Sequence, residues 1–191
     1  MELDGLAAGE LRLAAQNLAK VADEMAGNVA RAAEIIIEAL KAGGKVLLCG
    51  NGGSAADAQH FAAELVGRFE TERRPLPAVA LSTNTSNLTA IGNDYGFEEV
   101  FARQVRALGR EDDALVAIST SGGSPNVLAA VAAAREKRMA VVALAGRDGG
   151  KLASAADVAL VVREKRTCRI QEGHITCIHV ICRLVDEAFN E

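Results

Sequence analysis

Two segments of the chain combine glycines with hydroxyl side chains, each directly after a run of apolar residues. The first spans 50–54 and reads GNGGS, after the apolar run 46–49. The second spans 119–124 and contains the hydroxyls of Ser119, Thr120, Ser121 and Ser124. Glycines let backbone N–H groups approach an anion, and a serine at a helix start offers a cap and a hydroxyl. The pattern predicts a phosphate or sugar-phosphate site, although ordinary βα turns also use Gly and Ser.

A second set of residues has the side chains that acid–base or metal chemistry requires. His60 and Glu64 are four residues apart and therefore share one helix face, where they are either ligands or a surface pair. An imidazole and a carboxylate suit proton transfer and suit Zn²⁺. The other two histidines, His174 and His179, lie about 140° apart on a helix, so they cannot both face one site. Spacing alone does not say which of these two is functional.

Neither glycine-rich segment carries a nucleotide-binding fingerprint. The P-loop pattern GxxxxGK[ST] is missing, and with it the lysine that binds phosphates. The segment GNGGSA has Ala55 where the dinucleotide pattern places a third glycine or an alanine. That pattern also requires an acidic residue at a strand end roughly twenty positions further on, and the only candidates, Glu70 and Glu72, precede a loop instead. Dinucleotide binding is therefore not favoured.

The elements that must position these residues alternate between short apolar runs and helical segments. The predicted strands are 46–49, 78–81, 114–118, 140–144 and 158–162. Strands without polar alternation, separated by helices, indicate a parallel sheet buried on both faces. We therefore predict an α/β protein, a three-layer α-β-α domain with a five-stranded parallel sheet flanked by helices. Its ligands should lie at the carboxyl ends of the strands.

Long helical segments begin and end the chain. Apolar residues recur at helical spacing from Gly9 to Lys41, as one or two helices that Gly43 and Gly44 end, and again from Arg169 to Phe189. The first segment has more apolar surface than one small sheet covers, so we expect it to pack against a second copy. We predict one domain over 1–191, with N-terminal helices for oligomerisation in 1–42 and the sugar-phosphate-binding core in 43–191.

Composition narrows the functional class. With 191 residues, 50% of them hydrophobic, the chain can form a full core, and 3% aromatic residues disfavour an all-β fold. The net charge of −4 disfavours direct binding of nucleic acids, which normally requires a basic surface. The four cysteines form no CxxC pair, and no apolar run reaches the length of about 20 residues that spans a membrane. These features predict a reduced, cytoplasmic, soluble protein.

Four segments together resemble the phosphoheptose isomerase family of the sugar isomerase (SIS) proteins. They are CGNGGSAADAQHFAAEL at 49–65, AIGNDYGFEEVFARQV at 90–105, ISTSGGSPNVL at 118–128 and RIQEGHITCIH at 169–179. The resemblance implies an enzyme that converts D-sedoheptulose 7-phosphate to D-glycero-D-manno-heptose 7-phosphate through an enediolate. This is the first step towards ADP- or GDP-heptose for bacterial surface polysaccharide such as lipopolysaccharide. It also implies a cytoplasmic homotetramer with active sites between subunits.

The resemblance assigns site residues by position. It implies one Zn²⁺ per subunit held by His60, Glu64, Gln171 and His179, with Glu64 as the catalytic base and His179 as its acid partner. The implied substrate-binding residues are Asn51, Gly52, Gly53, Ser54, Asn93, Asp94, Ser119, Thr120, Ser121, Ser124 and Gln171. Two positions depart from the family, namely Gly123, where many relatives have Asn, and Cys168, where some have a carboxylate.

Two other functions compete with isomerisation. One branch of SIS tetramers is non-catalytic and binds the replication initiator DnaA, and 68–81 and 103–109 resemble that branch. The presence of Glu64 and His179, which that branch lacks, favours the isomerase. A sugar-phosphate-sensing transcription factor would need a DNA-binding module, for which a single SIS domain of this length leaves no room.

Overall fold

The described part of the chain, residues 3–190 of a computed structural model, is organised around five strands. The predicted domain, 1–191, also includes residues 1, 2 and 191, which lie outside the described residues. The strands are β1 (Val46–Cys49), β2 (Ala78–Ala80), β3 (Ala114–Ser119), β4 (Ala140–Gly146) and β5 (Val158–Val162). The helices are α1 (Leu3–Lys41), α2 (Gly53–Val66), α3 (Thr85–Tyr95), α4 (Ala102–Leu108), α5 (Pro125–Glu136), α6 (Gly150–Ala155) and α7 (Thr167–Phe189), with a 3-10 helix at Phe97–Glu99.

The sheet has the order β2-β1-β3-β4-β5, and all its neighbouring strands are parallel. Every residue of β1 and β3 is buried, because helices cover both faces of the central strands. The predicted α/β fold with a five-stranded parallel sheet is thus confirmed. Three strand ends differ from the prediction: β2 ends at Ala80, β3 continues to Ser119 and β4 to Gly146. Ser119 is therefore a buried strand residue rather than a turn residue.

Two apolar layers fill the space between sheet and helices. On one face, α1, α2 and α7 pack against side chains such as Val116 and Leu144. On the other face, α4, α5 and α6 pack against side chains such as Leu115 and Val141. Successive strand residues point to opposite faces, which is why neighbours in sequence belong to different layers. Both helices that carry histidines, α2 and α7, lie on the first face.

The N-terminal segment is one helix of 39 residues, so of the two predicted alternatives the single helix is correct. Its second half is buried at helical spacing, at residues such as Val29, Ile36 and Leu40, and it packs along α7 and β5. Its first half leaves leucines exposed, among them Leu6 and Leu11. Within residues 3–190 no helix combines the length and apolarity that crossing a membrane would require.

Candidate active site

The two histidine-bearing helices bring three predicted residues together. The Nε2 atom of His60 on α2 lies 2.9 Å from Nε2 of His179 on α7. The same His60 nitrogen lies 3.3 Å from Oε1 of Glu64, one turn further along α2. The side chain of Phe69 stacks on His179, with ring centroids 5.6 Å apart. We call His60, Glu64 and His179 the α2–α7 cluster.

A buried ion pair fixes α2 against α7 near this cluster. Arg73 Nε donates to Asp186 Oδ1 of α7 at 2.8 Å, and both side chains are almost fully buried. The same guanidinium donates to the backbone oxygens of Glu64 at 2.7 Å and Leu65 at 2.9 Å. Asp186 also accepts from the backbone N–H of Glu70 and Thr71. Burial would raise the pKa of Asp186, but these hydrogen bonds lower it overall. Arg73 therefore ties the last turn of α2 to α7.

The structure also separates the roles of the two histidines on α7. His174 is completely buried, and its Nε2 lies 2.9 Å from the carbonyl oxygen of Ala145 on β4. Since a carbonyl only accepts, His174 Nε2 carries the proton. Burial lowers the pKa of His174 to about 4, so the ring is neutral near pH 7, and its Nδ1 has no hydrogen-bond partner. His174 thus anchors α7 to the sheet, while His179 belongs to the α2–α7 cluster.

Gln171, predicted both as a metal ligand and as a substrate contact, lies at the other end of α2. A Cβ added to Gly53 would stand 2.3 Å from Gln171 Nε2, so glycine is required at position 53 by the close approach of this amide. Seven residues separate Gly53 from His60, which is about 10 Å along a helix. The structure therefore places the Gln171 amide beside the 50–54 turn and apart from the α2–α7 cluster.

The serine turn, residues 119–124, is linked internally by its hydroxyls. Ser119 Oγ lies 2.9 Å from Ser124 Oγ and 3.3 Å from Ser121 Oγ. The backbone N–H of Gly123 donates to Ser121 Oγ at 3.2 Å, so this contact does not depend on the side chain at the departing position 123. Pro125 begins α5 and has no N–H, and the N–H groups of Val127 and Leu128 donate to the backbone oxygen of Ser124, so the first turn of this helix leaves the N–H of Asn126 without a backbone partner. Hydroxyls and backbone N–H groups of this kind suit a phosphate.

The 50–54 turn is joined to the serine turn by a residue that the sequence did not single out. Asn51 and Asn126 exchange two side-chain amide hydrogen bonds, of 2.8 and 2.9 Å. Asn126 is buried in the first turn of α5. In the sequence, only its position two residues after Ser124 could have indicated that Asn126 belongs to this region. Gly52, with φ 58°, is the N-cap of α2, so the expected cap function of Ser54 is wrong, and Ser54 is buried.

Three predicted substrate residues make no hydrogen bond to the rest of the set. Asn93 and Asp94 are exposed near the end of α3, where Asn93 Nδ2 donates to Asp94 Oδ1 at 2.8 Å. Thr120 is half-buried between Ser119 and Ser121. Within the described residues, neither Asn93 nor Asp94 contacts the serine turn or the α2–α7 cluster by a hydrogen bond.

A second acidic residue of α2, Asp57, lies on the same helix face as His60 and Glu64, because the three residues are spaced three and four positions apart. Burial raises the pKa of Asp57 to about 6, while His60 acts in the opposite direction. Its Oδ2 is buried without a hydrogen-bond partner. Sequence reasoning missed Asp57, although its helical spacing from His60 was a usable signal.

The donor set of the α2–α7 cluster fits Zn²⁺ in its chemistry. Two imidazole nitrogens and one carboxylate oxygen converge at His60 Nε2, which has one short contact with His179 and one with Glu64. A single N–H proton, on either ring, forms a hydrogen bond along only one of these two contacts. A cation bound by all three atoms would satisfy both, and imidazole with carboxylate is a usual zinc donor set. In residues 3–190, no three His, Cys, Asp or Glu side chains already have the arrangement of a formed metal site. Zinc binding would thus require these side chains to reorient.

Comparison with known proteins supports an enzyme site. A sequence model of the SIS domain family matches residues 11–146. The phosphoheptose isomerase of Campylobacter jejuni is 55% identical over 174 residues, which are 91% of this chain and 94% of that protein. The phosphoheptose isomerase of Neisseria gonorrhoeae is 61% identical over 164 residues, which are 84% of this chain and 83% of that protein.

The fold agrees with these sequence matches. The solved structure of phosphoheptose isomerase from Neisseria gonorrhoeae has a TM-score of 0.92 and 51% sequence identity to this chain. The match covers 97% of this chain and 99% of the solved one. It therefore includes α7, which follows the segment matched by the family model and supplies His179.

Proposed function

Because the chain belongs to the SIS domain family and to the phosphoheptose isomerases within it, we propose that the α2–α7 cluster is its isomerisation centre. The chain is an aldose–ketose isomerase that converts D-sedoheptulose 7-phosphate to D-glycero-D-manno-heptose 7-phosphate, the first step of heptose biosynthesis. The relatives are named as isomerases, so the non-catalytic DnaA-binding alternative is not favoured. The observation that carries the proposal is the convergence of Glu64, His60 and His179.

In the proposed mechanism Glu64 is the base. Interconversion of a ketose and an aldose requires removal of a proton from one of the two carbons C1 and C2 and its return to the other. The carboxylate of Glu64 is only partly exposed and rests on the helix end fixed by Arg73, so its position is well defined. Glu64 takes the proton from the first carbon and returns it to the second.

His179 is the proposed acid partner. The carbonyl oxygen at C2 must gain a proton and the hydroxyl at C1 must lose one as the carbonyl moves from C2 to C1, and one imidazole can donate the first proton and accept the second. The ring of His179 is held by Phe69 on its face and by His60 at Nε2. His60 stands between Glu64 and His179 and keeps both groups oriented towards one space.

The serine turn is the proposed phosphate site. Ser119, Ser121 and Ser124 supply hydroxyls, and the start of α5 supplies the backbone N–H of Asn126. Binding of the distant phosphate fixes the reacting end of the sugar, which lowers the barrier by orienting the reactants. Gln171 is a proposed substrate contact at the neighbouring turn, and its proximity to Gly53 supports this role.

We propose that one Zn²⁺ per subunit is held by His60, Glu64 and His179. The predicted fourth ligand, Gln171, lies beside Gly53 at the other end of α2, so we leave it out of this donor set. The bound ion would act as a Lewis acid that stabilises negative charge on the substrate oxygens. Zinc content of the purified protein is measured by elemental analysis, beside activity after chelation and after Zn²⁺ is restored. Stoichiometric zinc that is lost in a His60→Ala variant supports the proposal, whereas full activity in metal-free protein refutes it.

A homotetramer with active sites between subunits remains our proposal. An apolar groove of about 260 Å³ between α1 and α7 supports it, lined by residues such as Leu18, Val29 and Val180. Half-exposed His60 leaves the cluster open on one side, where a second copy has room to contribute. Light scattering of Val180→Glu should show smaller species than wild type. Leu108→Glu, at an exposed position in the last turn of α4, is the matched control. An unchanged mass for Val180→Glu would place the interface elsewhere.

We also propose a cytoplasmic location and a product that feeds heptose-containing surface polysaccharide such as lipopolysaccharide. Phosphorylated sugars are intracellular metabolites, and all four cysteines are free, which suits a reducing compartment. Fractionation of cells that produce the tagged protein tests the location.

The decisive experiment incubates the protein with sedoheptulose 7-phosphate, with and without Zn²⁺, and follows heptose 7-phosphate by NMR. Product with wild type, and none with Glu64→Gln, would support both the activity and the base. No product from folded wild-type protein under either condition would contradict the isomerase and return DnaA binding to consideration.

A further inference from the structure

A basic cavity adjoins the serine turn on the carboxyl side of the sheet. It has a volume of about 570 Å³. Its lining consists of Ser121, Arg147, Asp148, Arg163, Glu164 and Lys165. Arg147 follows β4 directly, and Arg163 follows β5 directly. A ligand held by Ser121 would therefore border this cavity.

The cations of the cavity are available to a ligand. Within residues 3–190, no carboxylate lies within 4 Å of the charged groups of Arg147, Arg163 or Lys165. The two acidic residues of the lining point instead at backbone. Asp148 Oδ1 accepts from Gly150 N at 3.1 Å, and Glu164 Oε1 accepts from Lys165 N at 2.6 Å. Positive charge therefore predominates in the cavity.

Close backbone contacts fix the basic residues relative to the serine turn. A Cβ on Gly122 would stand 2.2 Å from the backbone oxygen of Gly149, so the serine turn and the turn after β4 are in direct contact. Leu152 N donates to Gly122 O at 3.0 Å. Arg147 N donates to Val162 O at 3.1 Å, which links the turn after β4 to the end of β5. The backbone of Arg147 is in the left-handed region, with φ 60°, which residues other than glycine rarely adopt.

The serine turn by itself has no charged group to balance a phosphate. Its own donors are neutral hydroxyls and N–H groups, and the chain carries a net charge of −4. A sugar phosphate is dianionic near neutral pH, so the protein as a whole repels it. The adjoining cations are the local feature that reverses this repulsion.

We propose that Arg147, Arg163 and Lys165 form the cationic wall of the phosphate subsite and select for dianionic sugar phosphates. The inference rests on the proposed function, since it assumes that the serine turn holds the substrate phosphate. The wall acts on binding rather than on proton transfer, because it lies on the phosphate side and not at the α2–α7 cluster. It attracts the phosphate through space, and Ser121 and Ser124 then bind it by hydrogen bonds.

The test compares a variant with both Arg163→Gln and Lys165→Gln to wild type, with inorganic phosphate as the probe in calorimetry. The variant should bind phosphate roughly tenfold more weakly and show a flatter dependence on salt, because fewer cations contribute to the attraction. KM for sedoheptulose 7-phosphate should rise by a similar factor while kcat stays constant. The Arg163→Lys variant, which keeps the charge, should resemble wild type.

The matched control is Arg110→Gln, which removes one exposed positive charge near the amino ends of the strands, whereas the serine turn lies at their carboxyl ends. It should change phosphate affinity by less than about twofold, because the charge is far from the site. Equal losses in the control and the double variant, or no loss in the double variant, would overturn the cationic wall. If wild-type protein has no isomerase activity but the double variant still binds phosphate more weakly than wild type, the proposed function is refuted and the cationic wall is supported.

Discussion

The serine turn and the α2–α7 cluster are the two halves of the proposed site, and they are built in different ways. The serine turn lies within six consecutive residues, and its hydroxyls contact each other. The cluster joins His60 to His179, which are 119 positions apart. The first is therefore a local structure, and the second exists only when two helices pack in one relative orientation.

This difference determines which remote residues each half depends on. The serine turn needs its own backbone and the contact of Gly122 with Gly149. The cluster needs α7 to be held at two distant points, by Asp186 with Arg73 and by His174 with Ala145. Changes at these anchors should disturb proton transfer at the cluster and leave phosphate binding at the serine turn nearly unaltered.

The largest expected effect separates the two halves by chemistry. Glu64→Gln keeps the size of the side chain but removes the base, so kcat should fall by about 10³-fold, within the range attributed to general bases. KM should change little, because the serine turn is intact. Steady-state kinetics with sedoheptulose 7-phosphate measure both constants.

The matched control for this prediction is Glu72→Gln. Glu72 is an exposed carboxylate that pairs with Arg68 on the surface, and its side chain is 90% exposed. It should retain wild-type kcat. Substantial turnover by Glu64→Gln would remove Glu64 from the role of base.

The second prediction concerns the buried anchor of α2 and α7. Arg73→Met leaves Asp186 buried and without its ion-pair partner, which should lower the free energy of unfolding by about 3–5 kcal/mol. At temperatures where the variant is folded, kcat should fall more than the affinity for inorganic phosphate. Denaturant unfolding measures the free energy of unfolding, steady-state kinetics measure kcat, and calorimetry measures the affinity for phosphate.

A surface ion pair gives the comparison for Arg73. Arg138 pairs with Glu111, and their side chains are 75% and 57% exposed. Arg138→Met should cost no more than about 1 kcal/mol. If both variants lose equally little stability, Arg73 does not anchor the helices.

The third prediction concerns His174, the second anchor of α7, and the pH dependence of the free energy of unfolding. The folded chain keeps His174 neutral down to about pH 4, whereas the unfolded chain binds this proton near pH 6.5. Stability from His174 is therefore lost as the pH falls from 6.5 to 4, by about 3 kcal/mol in total. His174→Gln should lack this part of the pH dependence, as followed by urea unfolding at a series of pH values.

Asp57 acts in the opposite direction over part of the same range. Burial raises its pKa to about 6 from 3.8, so the folded chain gains stability as the pH falls through this interval. Asp57 is present in wild type and in His174→Gln, so the difference between the two proteins isolates His174. Parallel pH curves for the two proteins would show that His174 is not the group responsible.

The smallest effect is expected at the serine turn. Ser124→Ala removes one hydroxyl that bonds to Ser119, and KM should rise roughly tenfold with kcat unchanged, the size of one hydrogen bond to a charged group. Ser154→Ala, an exposed serine of α6, serves as the control. Unchanged KM in both Ser121→Ala and Ser124→Ala would exclude the turn as the phosphate site.

The sequence by itself determined the elements of this protein and the local half of its site. Apolar runs and helical spacing predicted all five strands and both long helices, because these periodicities are properties of the backbone. The serine turn was predictable for the same reason, since its residues are neighbours in the chain. The pairing of His60 with Glu64 followed from one helical turn.

The tertiary structure decided what depends on the rotation and registration of α2 against α7. It selected His179 over His174, placed Gln171 beside Gly53, and joined Arg73 to Asp186 across 113 positions. Periodicity gives the faces of each helix but not which face meets which, because that depends on packing of the whole apolar layer. The clustering of Arg147, Arg163 and Lys165 likewise required the order of the strands, since β4 and β5 bring their ends together beside the serine turn.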